Sequence, residues 1–112
     1  MTTTTLPVAA LRTATARLLD AVEKKLGAEV LLADDFYWNV PLGEATDVHR
    51  EPRLDLASVV DDAESVREFA ARDRDEWVAI WHQCEHIAGV LRSIGMGPCF
   101  RCWRVPGLCL PL

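Results

Sequence analysis

Two histidines, a cysteine and a glutamate lie within five residues at positions 82–86, where the chain reads HQCEH. This is the H-x-x-E-H pattern of inverted zinc proteases, in which two histidines on one helical face bind the metal. His82 and His86 would be the ligands here, and Glu85 would act as general base. That site needs a further ligand downstream, usually a carboxylate, and no Asp or Glu follows Glu85. We therefore expect both histidines to make structural hydrogen bonds.

A second candidate is the C-x-x-C motif of residues 99–102. Such a pair is either half of a zinc site or a redox centre. Redox pairs of the thioredoxin type follow a strand and open a helix, whereas this one stands between Gly97-Pro98 and a proline-containing coil. We favour packing of these side chains on the domain or on a partner. Zinc binding by Cys99 and Cys102 is the alternative and would need two more ligands. Cys109 is available, and His86 or Cys84 could supply the other.

Two pairs of adjacent aspartates form a third candidate. Neighbouring carboxylates could serve acid–base or Mg²⁺ chemistry, but nothing in the sequence pairs them with a nucleophile, a phosphate loop or an activated histidine. We interpret them as surface charge that, with nearby aromatic residues, could form an acidic docking surface. The predicted binding residues are Asp34, Asp35, Tyr37, Trp38, Asp61 and Asp62. No catalytic residue, metal ligand or cofactor is predicted.

Composition and charge narrow the classes of function. The chain has 112 residues, which suits one domain, and its formal net charge is −5. Residues 1–86 hold all 17 acidic residues, whereas residues 87–112 hold three arginines and no acid. An acidic body lacks the clustered cations that bind nucleic acid and suits a basic protein partner. No apolar run approaches the roughly 20 residues that span a bilayer, so we expect a cytoplasmic protein without a membrane partner.

The element that must position the HQCEH motif is a helix over residues 77–95. Apolar side chains recur there at three- and four-residue steps, which predicts one wide apolar stripe that the other elements cover. Two tryptophans on it would bury a large area, of order 150–250 Å² each. The stripe comprises Trp77, Ile80, Trp81, Cys84, Ile87, Ala88, Leu91 and Ile94. We expect the core to form around this helix, with Asp75 as its N-cap.

Two further helices are predicted upstream. Helical spacing predicts the first over residues 7–26, with Thr5 as N-cap and Gly27 as the stop. The second is predicted over residues 58–72, beginning at Ser58 in a capping motif.

A small sheet is predicted between these helices. Residues 29–40 are rich in β-branched and aromatic side chains and lack a helical period, which favours a hairpin of strands 29–33 and 36–40. One bulged strand is the alternative. A third short strand is expected at residues 54–56.

These elements predict an α+β fold, with three helices packed on a small antiparallel sheet of two or three strands. We expect residues 1–95 to form a single domain and residues 96–112 to form an irregular Cys- and Pro-rich tail. An apolar tail is costly to leave in water, so we expect it to cover part of the body or to enter another subunit.

Three stretches resemble a family of short uncharacterised bacterial proteins, most common in actinobacteria. They are Phe36-Tyr37-Trp38, the run DDAESV at residues 61–66, and the stretch from Trp81-His82 through His86 to residues 89–92. The resemblance spans about residues 10–95 and implies no known reaction, so it transfers no site residue. In size and charge the chain is also similar to immunity proteins that neutralise toxins.

The sequence thus favours a non-enzymatic protein–protein interaction module. It would be an immunity- or antitoxin-like binder or a small subunit of a bacterial complex, and a homo-oligomer is compatible with it. The alternative is a small zinc-binding protein that uses the His82/His86 pair or the tail cysteines.

Overall fold

A computed structural model describes residues 3–41 and 44–96 of the chain. The elements within these ranges are helix α1 (Val8–Leu26), strand β1 (Phe36–Asn39), strand β2 (Asp55–Ser58), helix α2 (Val59–Ala71) and helix α3 (Ile80–Met96). The two strands form one antiparallel sheet. The predicted α+β class, with three helices and a small antiparallel sheet, is therefore confirmed for the described residues.

The chain divides into two units, Met1–Leu31 and Leu32–Leu112. The first contains α1, and the second contains both strands, α2 and α3. Most of the predicted tail, residues 97–112, lies outside the described residues. The predicted division into a 1–95 domain and a 96–112 tail therefore stays a prediction.

In the first unit, α1 begins and ends close to the predicted positions. Its N-cap is Pro7, whose side chain makes no capping hydrogen bond, so the predicted N-cap at Thr5 is wrong. At the other end Gly27 adopts φ 99°, and its backbone N–H donates to the carbonyl of Glu23 at 2.8 Å. A side chain would be strained at that φ, which explains why the helix stops at a glycine.

In the second unit, the sheet pairs strands that are distant in the sequence. Phe36 lies opposite Ser58, and the register continues to Asn39 opposite Asp55. The predicted hairpin is wrong, because residues 29–33 form no strand. A two-residue hairpin turn requires positive φ angles, and among the described residues only a glycine adopts one. The strand predicted at residues 54–56 is present as β2, shifted to Asp55–Ser58, and it is the partner of β1.

The predicted boundaries agree closely with the structure for α2 and less closely for the start of α3. Helix α2 lies within the predicted range 58–72, and its N-cap Ser58 accepts a hydrogen bond from the N–H of Asp61. This confirms the capping interaction and explains why β2 ends where α2 begins. Helix α3 begins at Ile80, three residues later than predicted, so Asp75 is not its N-cap.

The inward face of α3 is not the predicted apolar stripe. The buried residues of α3 are Gln83 and Gly89. Trp81 keeps 62% of its surface exposed, and Trp77, which precedes the helix, keeps 82%. The prediction that the tryptophan stripe forms the core is therefore wrong. The helix turns a polar face inward because His86 on that face hydrogen-bonds α2, an interaction that a hydropathy pattern cannot register.

We predict that Trp81→Ala changes the free energy of unfolding by less than about 1 kcal/mol, because most of the ring is already in water. Val59, at the start of α2, is a buried hydrophobic residue. Val59→Ala should lower the free energy of unfolding by about 2 kcal/mol, because it removes two methyl groups from the interior. Urea denaturation of the two variants checks this. A loss of about 3 kcal/mol or more in Trp81→Ala, as for a buried aromatic ring, would contradict the exposed position.

Candidate interaction site

A buried carboxylate connects three elements of the second unit. Asp62 on α2 is only 4% exposed. Its Oδ2 accepts a hydrogen bond from the Tyr37 hydroxyl of β1 at 2.5 Å, and its Oδ1 lies 2.7 Å from Nδ1 of His86 on α3. A carboxylate accepts only, so Nδ1 of His86 is the donor. A buried charge is costly unless it is paired, and these two donors satisfy one oxygen each.

The surroundings of Tyr37 raise the pKa of its hydroxyl. Burial, the hydrogen bond to Asp62 and the negative charge of Asp62 raise the pKa of Tyr37 to about 12, in that order of importance. Arg92 opposes this shift and Glu85 adds to it. The phenol therefore stays protonated at neutral pH, which keeps it a donor to Asp62.

Close approach at Gly89 makes this network possible. Gly89 lies on the buried face of α3, and a Cβ there would overlap Asp62 Oδ2 and the Tyr37 hydroxyl. A glycine within a helix costs about 1 kcal/mol relative to alanine. Here the missing side chain leaves the space in which the carboxylate and the phenol meet.

A cleft of about 380 Å³ lies between β1 and the C-terminal half of α3. On the strand side it is lined by Ala33, Asp35, Phe36, Tyr37 and Trp38, with Val59 beside them, and on the helix side by Gly89, Arg92, Ser93 and Met96. Most of this surface is apolar, with one guanidinium and one carboxylate as the charged groups. A volume of this size lies within the range of ligand sites.

The sheet also presents an exposed apolar face. Side chains alternate along a strand, so Phe36 and Trp38 point away from the side on which Tyr37 reaches the helices. Leu56 lies opposite Trp38 and shares its face. These three side chains are 63%, 68% and 62% exposed, respectively. We call them the aromatic face.

The predicted binding residues are placed in different surroundings. Asp35, Tyr37 and Trp38 line the cleft together. Asp62 is buried in the network, so its prediction as a surface charge is wrong. Asp34 and Asp61 are exposed and are not among the residues that line the cleft. Whether any of these residues binds a partner stays a prediction.

Three residues of the site were not identified from the sequence. They are His86 as the partner of Asp62, Gly89 and Arg92. One signal was available, because a glycine inside a strongly helical segment often marks close packing. The pairing of positions 24 residues apart had no signal in a single sequence.

One residue of the HQCEH motif, His86, belongs to the Tyr37–Asp62–His86 network. The rings of His82 and His86 are 4.4 Å apart in an edge-to-face arrangement, and Nδ1 of His86 is engaged by Asp62. Among the described residues, no group of three or more His, Cys, Asp or Glu side chains could hold a metal ion. The tail cysteines Cys99, Cys102 and Cys109 lie outside the described residues, so a zinc site that uses them stays a prediction.

No protein-family model, curated protein or solved structure was found to match this chain. The resemblance to short bacterial proteins therefore stays a prediction. None of the helices in the described ranges combines the length and apolar content needed to cross a membrane.

The titration of Tyr37 can be observed directly, because it is the single tyrosine of the chain. We expect the ultraviolet absorbance of the phenolate to appear with a midpoint near pH 12 in the folded protein. Asp62→Asn, which removes the negative charge, should lower that midpoint. A midpoint near 10, the ordinary tyrosine value, in the folded wild type would contradict the Tyr37–Asp62 hydrogen bond.

Stability should respond to the same titration. The pKa of Tyr37 is higher in the folded than in the unfolded chain, so its contribution is complete below about pH 10 and is lost as pH rises towards 12. Denaturation midpoints measured across this window should fall in the wild type. Tyr37→Phe should be less stable at neutral pH and should show a smaller fall, and an equal fall in both proteins would argue against the mechanism.

Two glycines of α3 provide a matched comparison. Gly89→Ala should destabilise the protein by about 1–3 kcal/mol, because the new methyl group overlaps Asp62 and Tyr37. A Cβ at Gly95 would meet no atom of the residues that the structure describes within 4 Å. Gly95→Ala should therefore be neutral or stabilising by up to about 1 kcal/mol, since alanine is the better helix former. Thermal melts of both variants test this, and equal effects would argue against close packing at Gly89.

Proposed function

We propose that this chain is a non-enzymatic protein-interaction module that binds its partner through the aromatic face, Phe36, Trp38 and Leu56. The observation that carries the proposal is the exposure of these three large apolar side chains on one side of a two-stranded sheet. Tryptophan and other aromatic residues are enriched at the centre of protein interfaces, where truncation of a few side chains removes most of the binding energy.

The Tyr37–Asp62–His86 network supports this function by holding the strand in place. Tyr37 bonds β1 to Asp62 on α2, and Asp62 in turn bonds His86 on α3. The neighbours Phe36 and Trp38 are therefore presented on the opposite side by a fixed strand. A face that is already ordered loses less conformational entropy on binding than a mobile one. Both oxygens of Asp62 are occupied by structural donors, which favours a supporting role over a catalytic one.

Charge suggests the chemistry of the partner. Asp35 and Asp55 lie at the ends of the paired strands and are exposed, and the chain as a whole carries a net charge of −5. A partner with an apolar patch and a net positive charge would be complementary to this chain and would associate faster at low salt. This is the kind of surface expected of an immunity- or antitoxin-like binder, or of a small subunit of a bacterial complex. We expect it to act in the cytoplasm.

Trp38→Ala tests this assignment. The expected result is that a partner captured from the source cell by the wild-type chain, and then purified, binds the variant at least about 30-fold more weakly, as expected for an interface hot spot. The fold should survive, because the ring is 68% exposed. Isothermal titration calorimetry with the purified partner gives the affinity.

Trp81→Ala is the matched control, because Trp81 is 62% exposed but belongs to α3 and not to the sheet. It should leave the affinity unchanged. If Trp81→Ala abolished binding while Trp38→Ala did not, the interface would lie on α3 and the assignment to the aromatic face would be wrong.

A further inference from the structure

One edge of the sheet carries backbone groups without partners in the sheet. In an antiparallel pair, alternate residues exchange hydrogen bonds with the facing strand, and the residues between them point outward. The N–H of Val59 donates to the carbonyl of Asp35 at 3.0 Å, one step beyond β1 in the same register. Tyr37 and Asn39 therefore bond to β2, and the backbone groups of Phe36 and Trp38 point to the free edge. The N–H of Phe36 donates to the Asp35 side chain, and within residues 3–41 and 44–96 the outward backbone groups of Trp38 have no hydrogen-bond partner.

The cleft lies beside this free edge. Its strand wall includes Phe36 and Trp38, and its floor includes the small residues Gly89 and Ser93 of α3. Strands in a sheet are spaced about 4.8 Å apart, so a third strand added to β1 would lie over this part of α3. A two-stranded sheet is marginal by itself, and a further strand would supply the missing cover.

We propose that the occupant is β1 of a second copy of this chain. Two copies related by a two-fold axis would pair their β1 edges in antiparallel orientation, giving a four-stranded sheet across the dimer. The axis would pass beside Trp38, so that the two Trp38 residues exchange both backbone hydrogen bonds and their rings lie on the same face. This goes beyond the proposed function, because it concerns the edge of the sheet and not the aromatic face.

Self-complementarity favours a second copy over other occupants. Strand β1, with the sequence FYWN, carries no charged residue that would block edge pairing, whereas β2 begins with Asp55. The cleft contains both Asp35 and Arg92, so each copy brings a carboxylate and a guanidinium to the same interface. A two-fold arrangement can match the Arg92 of each copy with the Asp35 of the other. Residues 97–112 contain no acidic side chain that could pair with Arg92.

Dimerisation would enlarge the aromatic face. The two copies would place Phe36, Trp38 and Leu56 of each chain on one continuous side of the four-stranded sheet. The helices α2 and α3 of both copies would lie on the other side, where Tyr37 points. A partner would then meet twice the apolar area that one chain presents.

Proline substitution at position 38 tests the backbone pairing. Trp38→Pro removes the outward N–H and its ring blocks an incoming strand, and Trp38→Ala removes the same indole but keeps the N–H. Sedimentation equilibrium on the full chain should show a wild-type dimer. The dissociation constant of Trp38→Pro should be at least about tenfold higher than that of Trp38→Ala, because two hydrogen bonds are lost across the axis.

Leu56→Pro is the matched control for folding. Leu56 lies opposite Trp38, and its N–H points to the other edge of the sheet, so this proline also removes an N–H outside the ladder. Circular dichroism should show both proline variants folded, with only Trp38→Pro impaired in dimerisation. A wild type that stays monomeric at the highest concentration reached would overturn the inference. Equal dimer affinity in Trp38→Pro and Trp38→Ala, or equal loss in Leu56→Pro, would also overturn it.

Charge reversal provides a test that leaves the residues of β1, Phe36–Asn39, unchanged. Arg92→Glu and Asp35→Arg should each weaken the dimer about tenfold or more by placing like charges together, and the double variant should recover most of that loss. Arg67→Glu on α2, which does not line the cleft, should have no effect. Unchanged association in both single variants would show that this cleft is not the dimer interface. A monomer that still binds a partner through Trp38 would leave the proposed function intact.

Discussion

The second unit depends on keeping one buried carboxylate satisfied. Asp62 is almost fully removed from water, and an unpaired charge in that position would cost several kcal/mol, about 3–5 when one partner of a buried pair is removed. The Tyr37 hydroxyl and His86 Nδ1 meet this need from two different elements. Because both must reach the same side chain, β1, α2 and α3 are fixed relative to one another. The absence of a side chain at Gly89 leaves the required space.

This constraint explains how a two-stranded sheet can hold aromatic side chains in an exposed position. Tyr37 is drawn towards the helices, and the alternation of the strand then requires Phe36 and Trp38 to face the other way. The same interaction thus stabilises one side of β1 and exposes the other. Among the described residues, Val59 is the one buried hydrophobic residue. The polar network therefore has the role that a large apolar core has in other small domains.

The wrong predictions share a physical cause. The apolar stripe of α3 was assigned to the core because hydropathy treats every tryptophan as a residue to bury. Trp81 is mostly exposed, because the helix is oriented by His86 and Gly89, whose contribution comes from hydrogen bonding and close approach. The hairpin failed for a related reason. Its turn would need positive φ angles, which among the described residues only Gly27 adopts, and β1 pairs with a strand beyond a long connection.

The local structure could be predicted from the amino-acid sequence. This holds for the stop of α1 at Gly27, the capping of α2 by Ser58, the extended character of residues 36–39, and the α+β class. These features depend on interactions between neighbours, which a single sequence displays. The packing of the elements sets which strand pairs with β1 and which face of α3 turns inward. It also places Asp62 in the interior and leaves Trp38 exposed. Those outcomes depend on groups that are far apart in the chain and meet only when the elements pack, so no local pattern contains them.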